Sequence, residues 1–155
     1  MKARISLFLA SAGYIGLIPG APGTYASVAT TLVFFFIYRI RQRILPELHL
    51  SALSIVIVIG VIVAGQVSKA YDNEDPSVVV IDEVAGQLLT FLFVPVHFWS
   101  LAIGTVLFRV FDIWKPFPIR NLEPLKHGVG IMADDVAAGI YANLVLQAIN
   151  RLLHW

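Results

Sequence analysis

The sequence predicts an all-α membrane protein, a polytopic bundle of about four to five membrane helices with a short interfacial helix at its N-terminus. Apolar residues make up 58% of the 155 residues and charged residues only 14%, and the mean hydropathy is +0.81. Soluble domains average roughly 25% charged residues, so the deficit indicates an integral membrane protein. The length suits one domain, which we expect to span residues 1–155.

Charge and cysteine content exclude several classes of protein. The formal net charge of +1 gives no bulk electrostatic attraction to nucleic acid. The chain contains no cysteine, so a disulfide framework, a thiolate metal site and a cysteine nucleophile are all excluded.

The N-terminal stretch has the order of a signal peptide but not its length. Lys2 and Arg4 precede an apolar run over residues 5–10, which is shorter than the ~7–15 residues of a signal peptide core. We therefore expect residues 1–12 to form a short helix that lies near the membrane interface.

Prolines and glycines follow over residues 16–24 and argue against regular structure there. Thr24 or Ser27 is expected to cap the next helix, which would leave free backbone N–H groups that favour an anion. Two interpretations follow: the hydroxyls serve only as helix caps, or they and the free N–H groups contact a phosphate.

Two apolar segments predict the first membrane helices. One covers residues 25–45 and the other residues 50–70, and both approach the ~20 residues needed to cross the hydrocarbon. Three arginines end the first segment at the depth of the head groups, where long side chains can reach water: Arg39, Arg41 and Arg43. Residues 71–76 then form an acidic turn.

The next apolar stretch, residues 84–111, admits two topologies. As one helix it would be about 42 Å long and would place the acids at its two ends on opposite membrane faces. As a hairpin over residues 77–94 and 99–114, turning at 95–98, it returns three acids to one face: Asp82, Glu83 and Asp112. We prefer the hairpin, because a buried carboxylate costs ~2.5–3.5 kcal/mol on insertion scales and acids pooled around a shared cation offset that cost.

The last helix is predicted over residues 136–153, with Asp134 or Asp135 at its start, where the helix dipole favours an acid. Counting the membrane crossings places the N-terminus, the 71–76 turn and the 115–131 loop on one face. The distribution of lysine and arginine favours this acid-bearing face in the cytoplasm.

Carboxylates from four segments therefore meet on one predicted face. They are Asp75, Asp82 with Glu83, Asp112, and Asp134 with Asp135. Hard oxygen ligands without cysteine or a close histidine pair suit Mg²⁺. Arg109 and Lys115 lie three residues on either side of Asp112, so both would neighbour it on a helix. Carboxylates beside such bases suit phosphoryl transfer, in which a metal and cations hold the non-bridging oxygens.

The candidate site divides into two groups of residues. The catalytic and metal-ligating candidates are Asp82, Glu83, Asp112, Asp134 and Asp135. The candidates for binding substrate phosphate are Lys115, Arg109, Arg120, Thr24 and Ser27. The residues alone leave two other interpretations open: a structural ion-pair network, and a small transporter or cation-binding channel. His97 and His127 are expected at membrane interfaces rather than in catalysis.

Four blocks of the sequence are similar to one known family. They are Pro22-Gly23-Thr24 with Ser27; Ile81-Asp82-Glu83 with Gly86; Phe108-Arg109 with Asp112-Ile113-Trp114-Lys115-Pro116 and Pro118-Ile119-Arg120; and Gly128 with Gly130-Ile131-Met132, Asp134-Asp135 and Ala138-Gly139. Through these blocks the sequence resembles the phosphatidylglycerophosphatase A family of bacterial membrane lipid phosphatases, from about residue 16 to residue 139.

The resemblance implies Mg²⁺-dependent removal of the terminal phosphate from phosphatidylglycerophosphate, which yields phosphatidylglycerol in glycerophospholipid biosynthesis. It also implies a phospholipid substrate, a surrounding bilayer, and action at the cytoplasmic face of the bacterial inner membrane. Three positions depart from the family pattern: Ala26 where glycine is frequent, His127 where a second glycine is expected, and Glu123 where aspartate is usual. The candidate acids are all retained.

Other phospholipid enzymes fit the sequence less well. A CDP-alcohol phosphotransferase would carry Asp-Gly-x-x-Ala-Arg, an HAD-type phosphatase Asp-x-Asp-x-Thr, and a histidine-dependent lipid phosphatase Ser-Gly-His, and this sequence contains none of them. Two mechanisms remain open for the acids: an aspartate attacks phosphorus directly, or a carboxylate positions and deprotonates a water.

Overall fold

The computed structural model describes residues 2–122, 125 and 128–154, and within them every regular element is helical. Six α-helices follow one another: α1 (Lys2–Ala10), α2 (Pro22–Arg41), α3 (Pro46–Tyr71), α4 (Ile81–Thr90), α5 (Phe98–Trp114) and α6 (Gly128–Leu152). Two short 3-10 turns, Ile15–Leu17 and Ile119–Asn121, complete the regular structure of the described chain. The all-α prediction is confirmed.

Among the described residues, three helices are long and apolar enough to cross a membrane: α2, α3 and α6. By contrast, α5 has 17 residues and a length of about 25 Å, and α4 has 10 residues and a length of about 15 Å. The predicted total of four to five membrane helices is therefore not confirmed. Only 28% of the apolar window of α2 and of α3 is buried, against 56% in α6, which makes α6 the central helix of the three.

The hairpin prediction is confirmed, but its first arm is shorter than expected. Helix α4 begins at Ile81 rather than at residue 77, and it ends at Thr90 before the chain turns into α5. The residues before α4 are not helical, because the Val80 N–H donates to the Ala10 carbonyl oxygen at 2.9 Å and a β-branched run is buried there. The acids of α4 consequently lie in its first turn.

Two helices begin earlier than predicted, at prolines. Pro22 opens α2 and Pro46 opens α3, since the fixed φ of proline suits the first position of a helix. Ala21 precedes α2 and makes no side-chain capping hydrogen bond. The capping role predicted for Thr24 or Ser27 is therefore wrong.

Helix α6 also begins earlier than predicted, at Gly128 rather than near residue 136. A Cβ atom at Gly128 would overlap the Val61 carbonyl oxygen, so the first turn of α6 lies directly against the backbone of α3. Asp134 and Asp135 therefore lie in the second turn of α6 and not at its N-terminus. The prediction that one of them opens the helix is wrong, and the helix dipole does not account for their position.

Close packing and polar contacts hold the short α4 against α6. A Cβ atom at Gly139 would lie 2.5 Å from the Gly86 carbonyl oxygen, so the two helix backbones touch at these glycines. The Asn143 side-chain amide donates to the carbonyl oxygens of Thr90 at 3.0 Å and Leu92 at 2.8 Å, which satisfies acceptors at the C-terminus of α4. These contacts set the position of the acids that α4 and α6 carry.

Candidate metal and phosphate site

Three carboxylates from two helices converge at one end of the bundle. Asp82 and Glu83 lie in the first turn of α4, and Asp135 lies in the second turn of α6. One oxygen of each residue lies within 4.8 Å of the other two. Asp82 is only 8% exposed and Asp135 only 4%, whereas Glu83 is half-buried. The close packing of α4 on α6 thus creates a group of oxygens that could hold one metal ion.

The ammonium group of Lys115 contacts the neighbouring acid, Asp134. Its Nζ lies 2.7 Å from Asp134 Oδ2, and Asp134 Oδ1 accepts a hydrogen bond from the Asp135 backbone N–H at 3.0 Å. Lys115 follows the last residue of α5 in a left-handed conformation with a φ of 46°, which is uncommon for a residue with a side chain. The chain therefore leaves α5 at the point where this lysine reaches α6.

Arg109 links the carboxylate of α5 to α4. Its Nη1 lies 2.6 Å from Asp112 Oδ2 and 3.5 Å from Glu83 Oε1. Both contacts are ion pairs. Neither has hydrogen-bond geometry, since the buried Nη1 has no hydrogen-bond partner among the described residues. A Cβ atom at Gly23 of α2 would overlap Glu83 Oε1 and lie 3.1 Å from Arg109 Nη1. Helix α2 can pack on this ion pair because residue 23 has no side chain.

A cavity of about 150 Å³ lies between these charges. Six carboxylates line it: Asp75, Asp82, Glu83, Asp112, Asp134 and Asp135. Lys115 also lines it and Arg109 adjoins it, so two positive charges face six negative ones when all are ionised. Three buried oxygens have no hydrogen-bond partner within the described chain: Asp82 Oδ1, Glu83 Oε2 and Asp135 Oδ2. Unpaired buried charge is costly, so this arrangement favours a cation among the three carboxylates.

Burial raises the pKa of both carboxyl groups of α4, a helix that is not one of the three candidate membrane spans. The pKa of Asp82 lies well above its ordinary value, first because of burial and then because of repulsion from Glu83. Burial likewise raises the pKa of Glu83, and the positive charge of Arg109 partly opposes that rise. A divalent cation between the two groups would favour their charged forms.

The sequence model of one protein family, described as Phosphatidylglycerophosphatase A, matches residues 8–150. The chain belongs to the phosphatidylglycerophosphatase A family. The resemblance found in the sequence motifs is therefore confirmed over most of the chain.

Three curated proteins are similar to this chain along most of its length. Phosphatidylglycerophosphatase A of Escherichia coli is 36% identical over 143 residues, which cover 90% of this chain and 79% of that protein. The Haemophilus influenzae protein of the same name is 35% identical over 137 residues, covering 87% and 82%. A Bacteroides thetaiotaomicron protein provisionally named a phosphatidylinositol-3-phosphatase is 34% identical over 139 residues, covering 88% and 87%. No solved structure matches the chain significantly.

Membership of the phosphatidylglycerophosphatase A family identifies the chain as a hydrolase of the lipid phosphatase class. The long apolar helices fit an enzyme that works in a membrane. The alternative of a small transporter or cation-binding channel is not favoured.

The structure brings together most of the residues that the sequence predicts for this family's site. The five candidate acids and the candidate lysine line the cavity, and Arg109 contacts two of the acids. Arg120 is exposed in the turn after α5 and does not line the cavity. Ser27 is buried, and its hydroxyl donates to the Gly23 carbonyl oxygen at 2.9 Å. Thr24 lines a separate groove between α2 and α5.

Sequence reasoning missed two residues beside the acids, Gly23 and Gln87. The Pro22-Gly23 pair is typical of a turn, and only the helix start at Pro22 shows that Gly23 faces Glu83 from within α2. Gln87 is fully buried one helical turn after Glu83, and neither polar atom of its side-chain amide has a hydrogen-bond partner among the described residues. The signal that could have found Gln87 is its position in an apolar segment, four residues after the acid Glu83.

Of the two histidines expected at membrane interfaces, the structure describes His97, which does not line the acidic cavity. His97 lies at the N-terminus of α5, the end opposite Lys115, where its Nδ1 accepts a hydrogen bond from the Ser100 backbone N–H at 3.2 Å. His127 and Glu123 lie outside the described residues.

Proposed function

We propose that the protein removes the terminal phosphate of phosphatidylglycerophosphate in a Mg²⁺-dependent hydrolysis that yields phosphatidylglycerol and inorganic phosphate. The observation that carries the proposal is the meeting of three acid oxygens within 4.8 Å, beside a lysine in the same cavity. Membership of the family, together with the names of the Escherichia coli and Haemophilus influenzae relatives, supports this substrate.

The residues present fit a hard divalent cation. Asp82, Glu83 and Asp135 would hold it, because each has a buried oxygen without a hydrogen-bond partner in the described chain. Carboxylate oxygens without thiolate or imidazole ligands suit Mg²⁺. When bound, Mg²⁺ would supply positive charge that polarises a phosphoryl oxygen and stabilises the charge that develops during transfer.

The remaining charged residues would bind and orient the phosphate. Lys115 lies in ion-pair contact with Asp134, so its ammonium can bind a phosphate oxygen in the cavity while Asp134 holds its position. Arg109 holds Asp112 by a contact of 2.6 Å and partly neutralises Glu83. Asp112 and Asp134 remain catalytic candidates, each fixed by one base. Arg120, Thr24 and Ser27 lie outside the cavity lining, so they are weaker candidates for the phosphate contact.

In the hydrolysis, a water oxygen forms a bond to phosphorus while the bond from phosphorus to the glycerol oxygen breaks. A carboxylate of the cavity takes the proton that the water loses, and the glycerol oxygen gains a proton as it leaves. A direct attack by an aspartate would instead form an acyl phosphate, which water then hydrolyses. Both routes use the same cavity and need the acids to be close to a lysine and an arginine.

We further propose that residues 1–155 form one membrane-embedded domain and that its site faces the cytoplasm from the bacterial inner membrane. Asp75 after α3 and Lys115 after α5 line the same cavity, so the loops that follow these helices share one end of the bundle. The excess of lysine and arginine at that end supports a cytoplasmic orientation.

The test is phosphate release by the purified protein in detergent micelles, with phosphatidylglycerophosphate and Mg²⁺, then with EDTA, then with Mg²⁺ restored. We expect release only when Mg²⁺ is present, and we expect Asp112→Asn and Asp134→Asn each to abolish it while the protein remains folded. Absence of Mg²⁺-dependent release from wild-type protein would refute the proposal.

A second lipid in the same assay tests the head group. One relative is provisionally named a phosphatidylinositol-3-phosphatase, so phosphatidylinositol 3-phosphate is the matched comparison. We expect a higher kcat/KM for phosphatidylglycerophosphate. A higher kcat/KM for phosphatidylinositol 3-phosphate would still be lipid phosphatase activity, but it would refute the proposed substrate.

A further inference from the structure

A groove between α2 and α5 lies directly beside the acidic cavity. Its volume is about 520 Å³. Thr24 and Val28 belong to its α2 wall, and Val106, Val110 and Trp114 belong to its α5 wall. The lining is mainly apolar, in contrast with the carboxylates that line the neighbouring cavity.

The groove opens to the outside of the bundle and not to its core. Val28, Val106, Val110, Ile113 and Trp114 are between 44% and 73% exposed. On a protein that spans a membrane, such apolar surface faces the lipid chains.

The inner end of the groove is closed by a contact between the two helices. The hydroxyl oxygens of Thr31 on α2 and Thr105 on α5 are 2.7 Å apart, and Thr105 also lines the groove. From Thr105 to Trp114, α5 rises about 13.5 Å, which is roughly half of the ~30 Å thickness of the hydrocarbon. The groove is therefore long enough to hold the part of an acyl chain nearest to its head group.

Arg109 belongs both to the groove and to the acidic site. It lines the groove, and its Nη1 contacts Asp112 and Glu83. On α2, Gly23 lines the acidic cavity and the next residue, Thr24, lines the groove. The apolar and the acidic cavities therefore adjoin one another at the same level of both helices.

We infer that the α2–α5 groove binds an acyl chain of the lipid substrate while the terminal phosphate lies in the acidic cavity. This inference rests on the proposed function and adds the place where the apolar part of the substrate binds. A lipid phosphomonoester joins apolar chains to an anionic head group. The two adjoining cavities match this order, because the apolar groove lies next to the proposed metal and phosphate site. Arg109 then lies where the head group meets the chains.

Two other apolar cavities lack this connection to the acids. One lies between α2 and α3 beside Arg41 and His49, and the other lies between α1 and α3 beside Arg4 and Tyr71. Neither contains a residue of the acidic cavity or Arg109. A chain bound in either would not be continuous with a head group among the carboxylates.

A tryptophan placed in the groove tests the inference. Val106→Trp fills the groove, and Val58→Trp is the matched control, because both valines are mid-helix residues with similar exposure, 63% and 61%. Each protein is assayed with Mg²⁺ on dioleoyl and on dihexanoyl phosphatidylglycerophosphate. We expect Val106→Trp to lower kcat/KM for the dioleoyl lipid about tenfold more than for the dihexanoyl lipid, because the longer chain loses more apolar contact. Val58→Trp should show no such preference.

The outcomes separate this inference from the proposed function. A wild-type protein that hydrolyses neither lipid refutes the proposed function itself. Equal losses on both lipids in Val106→Trp, or the same chain-length preference in Val58→Trp, overturn the groove assignment and leave the phosphatase intact. If Val106→Trp does not fold, Val28→Trp fills the groove from the α2 wall, and absence of a chain-length preference there also overturns the assignment.

Discussion

Replacing Asp82 by asparagine should separate cation binding from folding. Asparagine keeps the shape of the side chain but removes one of three acids whose oxygens meet within 4.8 Å. In detergent micelles with EDTA, we expect Asp82→Asn to unfold at a higher temperature than wild type. With Mg²⁺, we expect the variant to lose most of the added stability and at least about 100-fold in turnover, because one carboxylate ligand is gone.

Coulomb's law sets the scale of the repulsion that the variant relieves. Two unit charges 4.8 Å apart repel by about 3.5 kcal/mol at an effective dielectric constant of ~20. Protonation relieves part of that repulsion in the cation-free protein, and burial raises the pKa of Asp82 in the direction that favours it. We therefore expect a gain of about 1–2 kcal/mol in EDTA, or about 2–8 °C in Tm for a chain of this size.

Mg²⁺ should act in the opposite direction on the wild-type protein. An ion present at 100 times its Kd stabilises the folded state by about 2.7 kcal/mol, which corresponds to about 5–11 °C. In Asp82→Asn the shift should fall to less than about half of that, since only two of the three proposed carboxylate ligands would remain. The assay is thermal unfolding in EDTA and over a Mg²⁺ titration, with phosphate release measured on the same samples.

Asp72→Asn is the matched control. It makes the same chemical change at an exposed residue that follows α3 and does not line the acidic cavity. Both the Mg²⁺ response and turnover should stay at the wild-type level. If Asp82→Asn keeps the full Mg²⁺-induced shift and near-full turnover, the assignment of this acid to a metal site is refuted.

Substitutions elsewhere test the phosphate contact, the close packing and the topology. Lys115→Met should lower kcat/KM for phosphate release by about 100-fold, and Lys115→Arg should lower it by less, because arginine keeps the charge. Equal activity in the wild type and both variants would exclude the phosphate contact. Gly23→Ala should cost about 1–3 kcal/mol in thermal unfolding and also lower turnover, since its Cβ would overlap a Glu83 oxygen; wild-type behaviour would contradict the packing of α2 on that acid. Cysteines placed at Asn73 and Asn121 should react from the same side of sealed vesicles, and labelling from opposite sides would argue against the hairpin.

The pooling of acids at one end of the bundle was predictable because it follows from topology. An apolar stretch interrupted at residues 95–98 returns its second half to the starting face, and the structure has two helices there. Asp112 also had two bases at helical spacing, and the structure pairs one of them, Arg109, with it at 2.6 Å. The other base, Lys115, follows α5 in a left-handed conformation, and its Nζ lies 2.7 Å from Asp134 Oδ2.

Helix starts were less predictable than helix existence. Pro22 and Pro46 read equally well as loop residues and as first helical positions, so local sequence does not distinguish the two. The delayed start of α4 depends on a hydrogen bond from Val80 to Ala10, which are distant in sequence. The early start of α6 depends on Gly128 packing against the backbone of α3.

Composition and apolar length were enough to predict a helical membrane protein, and the motifs were enough to predict its family and the acids that line one cavity. Composition, the length of an apolar segment and a motif can each be read along the chain, without knowledge of which helices contact one another. Only the tertiary structure decided which acids could share a cation, namely Asp82, Glu83 and Asp135, and which were held by a base. It alone placed an apolar groove beside Arg109. Distances of a few ångströms between helices depend on close contacts such as that of Gly86 with Gly139, and no local pattern in the sequence encodes them.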